Sequence, residues 1–328
     1  MSTLDLPGFS DVLDAQSKLS GMSIRTPLLE NVELNRVTGG RIFLKSEILQ
    51  HTGSFKFRGA YNFICRLDER QKKQGLVAYS SGNHAQGVAY SAKLLGAKAT
   101  IIMPSDAPDI KINNTRDFGA DVVLYDRFSE DREAIGDKII QENGALLIPP
   151  YDHPYIIAGQ GTCGLEIVEQ AKERNVILDA TVICCGGGGL TSGSSIAIKE
   201  LSPSTLIYSA EPADFDDTAR SLVMGQRVSV SPDARSICDA VLTPTPGELT
   251  FSLNRTFVEK GLVVTDEEVR RAVKFAFNTL KLVVEPGGAV ALAAVLHNKI
   301  DTKKKAIALT LSGGNVDPSV FKECLDVS

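Results

Sequence analysis

The chain reads as an α/β protein of two lobes, each with a mainly parallel sheet flanked by helices. Short apolar runs alternate with longer stretches of helical periodicity, which is the layering pattern of β-α units. At 328 residues the chain is too long for one compact core and suits two. The turn signal Pro149-Pro150 closes a first run of units before the pattern resumes on a larger scale.

The elements follow in order. Arg41–Lys45 is a strand in the N-terminal segment. Leu76–Tyr79 is a short apolar strand, followed by a helix with Ala85, Val88, Ala92 and Leu95 on one face and Gly96 to end it. Thr100–Met103 is the next strand, stopped by Pro104. A polar helix precedes the strand Asp121–Tyr125. Glu130–Asn143 is helical, and Leu146–Ile148 completes the unit. Beyond the proline pair, Thr181–Cys185 is a buried strand, and Thr205–Ser209 is another that Glu211-Pro212 breaks. Thr265 and Glu268 form a capping box in front of a helix bearing Val269, Val273, Ala276 and Leu280. Ala306–Leu311 is the last strand. The N-terminal strand is expected to join the C-terminal lobe. The large domain is then discontinuous, 1–67 and 155–328, with a small domain over 75–150 and hinges near 68–75 and 149–155.

Composition narrows the functional classes. With 43% hydrophobic and 23% charged residues the chain is globular rather than disordered. A net charge of −5 argues against nucleic acid as a partner. No apolar run approaches the ~18 residues of a membrane span. The segment Met1–Ala15 lacks the basic-then-apolar order of a signal peptide. Cys65, Cys163, Cys184, Cys185, Cys238 and Cys324 contain no C-x-x-C pair and are expected as reduced thiols, which points to the cytoplasm. The N-x-T triplets at Asn113 and Asn254 are then chance matches.

Gly186-Gly187-Gly188-Gly189 follows a strand and precedes Leu190-Thr191-Ser192-Gly193, which can open a helix. Residues without Cβ let backbone N–H groups converge on an anion, and a helix N-terminus adds positive potential. The alternative is a flexible turn. The spacing fits neither the dinucleotide fingerprint nor a P-loop, so a small phosphorylated cofactor fits better than a nucleotide. In Gly53-Ser54-Phe55-Lys56-Phe57-Arg58-Gly59-Ala60, one lysine lies between two aromatics. Apolar surroundings depress a lysine's pKa and prepare it to form a Schiff base, although a surface lysine with a packed stem has the same pattern.

Four segments keep the order of one family: Gly53 to Ala60, Ser80-Ser81-Gly82-Asn83-His84, Gly186 to Gly189, and Ser312-Gly313-Gly314-Asn315. From about Arg25 onward the chain resembles the fold-type II pyridoxal-phosphate enzymes of tryptophan synthase β-like architecture, in particular the serine/threonine dehydratase and serine racemase group. The resemblance implies that Lys56 holds the cofactor's aldehyde and then acts as base at Cα, with Phe55 packed against the ring. Asn83 would bond the 3′-oxygen, Gly186, Gly187, Gly188 and Gly189 would hold the phosphate, and Ser312 would face the pyridine nitrogen. Ser80, Ser81, Asn83 and His84 would grip the substrate carboxylate, the alternative being a capping turn. Glu285, in Glu285-Pro286-Gly287-Gly288-Ala289, would line the cofactor site, and it also suits a helix first turn.

A neutral hydroxyl at Ser312 does not hold a proton on the ring nitrogen, so expulsion of a β-leaving group becomes the natural exit for charge at Cα. The expected reaction is loss of water and ammonia from threonine or serine to give a 2-oxo acid. Serine racemisation and dehydration of 3-hydroxyaspartate are the alternatives, with cysteine-synthase-type replacement more distant. Ser81 is serine where many threonine dehydratases carry alanine, and its hydroxyl would move a proton on the opposite ring face. Arg132 would suit a second substrate carboxylate, or else pairs with Asp131 or Glu133 at the surface. Ala240 after Asp239 departs from the glycine of the racemase group, as do Val241–Gly247. Glu211, the carbonyl of Phe215, and Asp217 match the racemases' divalent-metal positions. Hard oxygen donors suit Mg2+, with Ca2+ or Mn2+ as alternatives, while a solvated acidic loop or a cap by Asp214 is the plainer reading. The resemblance further implies a homodimer. With the chain ending at Ser328, an unregulated or catabolic form is expected.

Overall fold

The computed structural model describes residues 5–80, 82–107, 109–126 and 129–327. Ten strands occur among them: β1 Leu28–Glu30, β2 Arg41–Ser46, β3 Leu76–Tyr79, β4 Ala99–Pro104, β5 Asp121–Tyr125, β6 Leu146–Leu147, β7 Ala180–Cys184, β8 Leu206–Pro212, β9 Lys260–Val264 and β10 Ala306–Leu311. They form a six-stranded sheet, β1-β2-β10-β7-β8-β9, and a four-stranded sheet, β5-β4-β3-β6. Among these strand pairs only β1–β2 is antiparallel. The N-terminal β2 lies beside the C-terminal β10, with Ile42 opposite Ile307 and Leu44 opposite Leu309. Strands buried on both faces read as near-continuous apolar runs, and β7 and β10 do so.

The larger core surrounds the helix Pro286–Leu296, buried from Pro286 to Val295. Its sequence is apolar on every side, as a fully enclosed helix requires. The smaller core packs Val88, Ala89 and Ala92 of the helix Asn83–Leu94 against Leu76, Ala78, Ile101 and Met103.

Beneath the helix Lys56–Ile64 lies a buried ionic network. Arg58 is fully buried and donates to Glu47 at 2.7 and 2.8 Å and to Glu166 at 2.7 and 2.8 Å. Lys45 donates to Glu166 and to the carbonyl of Thr26. Two cations face two carboxylates, so no charge is left uncompensated away from water. The network ties β2, the helix Pro154–Glu173 and the first turn of the helix Lys56–Ile64 into one rigid base.

Several elements differ from the sequence expectation. Glu211-Pro212 does not break β8, because both residues pair with Val263 and Val264 of β9. Proline is tolerated there at the strand's last position, where its missing N–H costs little. The helix expected from Glu130 begins at Arg132, because Asp131 caps it by accepting from the Glu133 N–H at 2.8 Å. The helix behind Thr265 runs Asp266–Phe275 and then widens into a π-turn, Ala276–Leu280, before Lys281 at φ +61°. Asp214 lies in the turn Ala213–Phe215 and is not the cap of the helix Asp217–Met224. All six cysteines are free. Among the described residues, no helix is long and apolar enough to cross a membrane.

Candidate active site

A cavity of about 330 Å³ opens between the two sheets. It sits outside the carboxyl ends of β3, β7 and β10, which lead into Ser80, Gly186 and Ser312. Parallel sheets place ligands in this position because the strands end there and helices begin. Helices start at the cavity at Lys56, Asn83, Arg132, Gly189 and, with Glu285 as N-cap, Pro286. Their dipoles give it a positive potential suited to anions.

Lys56 projects its amine toward Pro150, donating to the carbonyl oxygen at 2.8 Å. Its Nζ lies 5.3 Å from the centre of the Phe55 ring. Burial pushes the amine down to about 8, against an opposing pull from Glu285. Burial likewise pushes the Glu285 carboxyl up to about 8, with Asp239 adding to the rise. Near neutral pH the acid is therefore mostly uncharged, and a useful fraction of the amine is neutral.

The segment around Lys56 is fastened to the last motif through the backbone. The Phe55 N–H donates to the Ser312 carbonyl at 3.2 Å, and the Gly314 N–H to the Gly53 carbonyl at 2.9 Å. Ser312 is thereby buried on the cavity wall. Asn83 is held from two sides. Its Nδ2 donates to Glu285 Oε1 at 2.6 Å, and its Oδ1 accepts from Asn315 Nδ2 at 2.7 Å. Glycine is required at 313, where a Cβ would stand 1.9 Å from Glu285 Oε1.

His84 is buried, with Nε2 placed 2.9 Å from the Ile148 carbonyl. Burial, helped by Lys56, pushes its imidazole down to about 3, so it is neutral and Nε2 donates. Ser80 Oγ accepts from the Gly82 N–H at 3.2 Å, closing the turn into the helix. Ser81 falls outside the described residues. Arg132 lines the cavity at the start of its helix.

The glycine run makes a cradle. Gly188 has φ +91°, and a Cβ at Gly187 would fall 2.4 Å from the ring of Tyr151. Among the described residues, no hydrogen-bond acceptor takes the N–H groups of Gly186, Gly187, Gly188 or Gly189. A phosphate fits such a set of converging donors. Tyr151 is held over the cradle by its neighbour Asp152, which accepts from the N–H groups of Glu248, Leu249 and Thr250 at 2.8, 3.0 and 3.1 Å.

The acidic segment does not line the cavity. Glu211 is fully buried and accepts from the N–H groups of Thr218 and Ala219 at 2.9 and 2.8 Å. Both carboxylate oxygens of Asp217 are buried without a partner. Burial pushes Asp217 up to about 7 and Glu211 well above the usual range, with Asp217 adding to the rise at Glu211. Phe215 is buried beside them. A buried carboxylate without partners, Asp217, repelling a second, Glu211, fits a cation. Among the described residues, no group of three or more His, Cys, Asp and Glu side chains gathers as a metal site.

Sequence reasoning did not single out Asn315, Tyr151 or Lys111 as site residues. Only Asn315 carried a signal, through its place in the Ser312–Asn315 motif.

A family model described as pyridoxal-phosphate dependent enzyme matches residues 19–313. The chain belongs to this family. Among pyridoxal-phosphate enzymes, it is 44% identical to the L-threo-3-hydroxyaspartate ammonia-lyase of a Pseudomonas species, covering 98% of this chain and 99% of the relative. The serine racemase of Dictyostelium discoideum, a solved structure, superposes with TM-score 0.88 at 37% identity, over 95% of this chain and 99% of that one. Maize serine racemase superposes with TM-score 0.91 at 36% identity, over 97% of both. The fold is accordingly that of the fold-type II pyridoxal-phosphate enzymes.

Proposed function

We propose that the chain is an ammonia-lyase that removes water and ammonia from a small β-hydroxy amino acid, threonine or serine, and releases the 2-oxo acid. The observation that carries this reading is the meeting of three groups in one cavity: the depressed amine of Lys56, the neutral hydroxyl of Ser312, and Ser80, Gly82, Asn83 and His84 at a helix N-terminus. Bound pyridoxal phosphate supplies the electron sink that acidifies the Cα–H bond. The substrate carboxylate is gripped at the start of the helix Asn83–Leu94, where dipole and N–H groups favour an anion. Lys56 takes the Cα proton, the Cβ–O bond breaks, and the hydroxyl leaves as water. Water then replaces the nitrogen, giving the 2-oxo acid and ammonium.

Segments 1–67 with 155–328, and 75–150, act in this reading as two domains that close on the substrate and exclude solvent. Glu211, the Phe215 carbonyl and Asp217 hold a divalent cation, Mg2+ by preference, which relieves the repulsion between the two acids. A second substrate, 3-hydroxyaspartate, is favoured by one observation. Two cations, Lys111 and Arg132, line the cavity, and the Pseudomonas relative is named for that compound.

The test incubates the enzyme with L-serine, L-threonine and L-threo-3-hydroxyaspartate and measures 2-oxo acid, ammonia and D-isomer. Oxo acid and ammonia in equal amounts are expected. D-isomer without oxo acid would overturn the elimination in favour of racemisation.

A further inference from the structure

Among the described residues, an ion pair joins the cavity's two walls. Lys111, on the helix Asp109–Asp117 of the four-stranded half, donates to Asp239 Oδ2 at 2.6 Å. Asp239 opens the short helix Asp239–Val241 of the six-stranded half. Both residues line the cavity, as does Arg132.

The two partners are unequally held. The Lys111 side chain is 12% exposed and that of Asp239 is 55% exposed. Turning the aspartate out to water has little desolvation cost, whereas the lysine has nowhere better to go. The backbone at this point does not follow such a turn easily. The next residue, Ala240, packs on the first turn of the helix Pro286–Leu296, where a Cβ at Gly287 would fall 2.9 Å from the Ala240 Cβ. The exchange available is a side-chain rotation that frees the ammonium toward the cavity.

We propose that Asp239 sets the side-chain specificity of this cavity by occupying the Lys111 ammonium that a substrate's second carboxylate would otherwise take. With the pair closed, the wall presents a neutralised surface and accepts serine- or threonine-like side chains. A dicarboxylic amino acid enters only by displacing Asp239, and then bridges Lys111 and Arg132. Discrimination is thus a competition between two carboxylates for one cation, and it lowers affinity for the dicarboxylate. The inference rests on reading this cavity as the amino-acid site.

The test compares binding of succinate and butanoate, a dicarboxylate and a monocarboxylate of equal length, to the holoenzyme by calorimetry. Asp239→Asn is expected to tighten succinate about tenfold relative to butanoate, equivalent to about 1.4 kcal/mol. Adding Lys111→Met to Asp239→Asn removes the gain, and Asp239→Glu restores the wild-type ratio. In turnover, the ratio of KM values for L-threo-3-hydroxyaspartate and L-serine falls in the same order. A succinate-to-butanoate ratio unchanged by Asp239→Asn, or a gain that survives Lys111→Met, overturns the proposal. An enzyme that turns over no β-hydroxy amino acid would refute the ammonia-lyase reading, and the succinate-to-butanoate ratio would still decide the role of Asp239.

Discussion

Enzyme stripped of cofactor should capture pyridoxal phosphate at a rate that follows the neutral fraction of the Lys56 amine. Burial lowers that amine from the 10.5 of an exposed lysine to about 8. At pH 7 about one amine in eleven is then neutral, and at pH 9 about ten in eleven, so capture accelerates about tenfold between them and levels off above. A lysine left at 10.5 would be only about 3% neutral at pH 9 and would speed up close to a hundredfold over the same range without a plateau. The assay is stopped-flow absorbance of the covalent linkage in the visible, from pH 7 to 10 at fixed cofactor concentration. Glu285→Gln should move the midpoint down, because the glutamate, itself ionising near 8, pulls the amine upward as it gains charge over this pH range. A steep, unsaturated rise, or a midpoint indifferent to Glu285→Gln, would refute the burial argument.

Gly187→Ala sets a methyl group 2.4 Å from the Tyr151 ring, and overpacking of this kind costs about 1–3 kcal/mol. The dissociation constant for pyridoxal phosphate should rise about tenfold or more by equilibrium dialysis, and Tyr151→Ala in the same chain should recover part of it. Arg58→Met leaves Glu47 and Glu166 facing each other without the guanidinium, for an expected loss of about 3–5 kcal/mol in urea unfolding. A loss below about 1 kcal/mol would mean that the network is not the rigid base described. Chelation with EDTA should lower the melting temperature and Mg2+ should restore it, while Asp217→Asn makes the chain insensitive to both. An unchanged melting curve on chelation counts against the cation.

The fold was readable where its signals are local. Strands such as Thr181–Cys185 and Ala306–Leu311 declare themselves by apolar runs, and the capping box at Thr265 and Glu268 by a three-residue spacing that the structure reproduces. β1 escaped because three residues carry no period, and β9 because Lys260-Gly261 opens it with no strand signal. Pro212 misled for a related reason: proline's cost depends on its place in the sheet, and it stands last in β8, opposite Val264 of β9.

The same division runs through the site. Lys56 between its aromatics, the four glycines after a strand, and Ser312 ahead of Gly313-Gly314 were already present in the chain as short patterns, because each expresses backbone freedom or chemistry within a few residues. The partners of those groups were not. Asn83 meets Glu285 across 202 positions, and Lys111 meets Asp239 across 128. Whether Glu285 is a charged first-turn acid or a neutral hydrogen-bond acceptor depends on the solvent removed around it. Solvent exclusion is a property of three-dimensional packing, so tertiary structure alone decided the protonation and charge balance of the cavity.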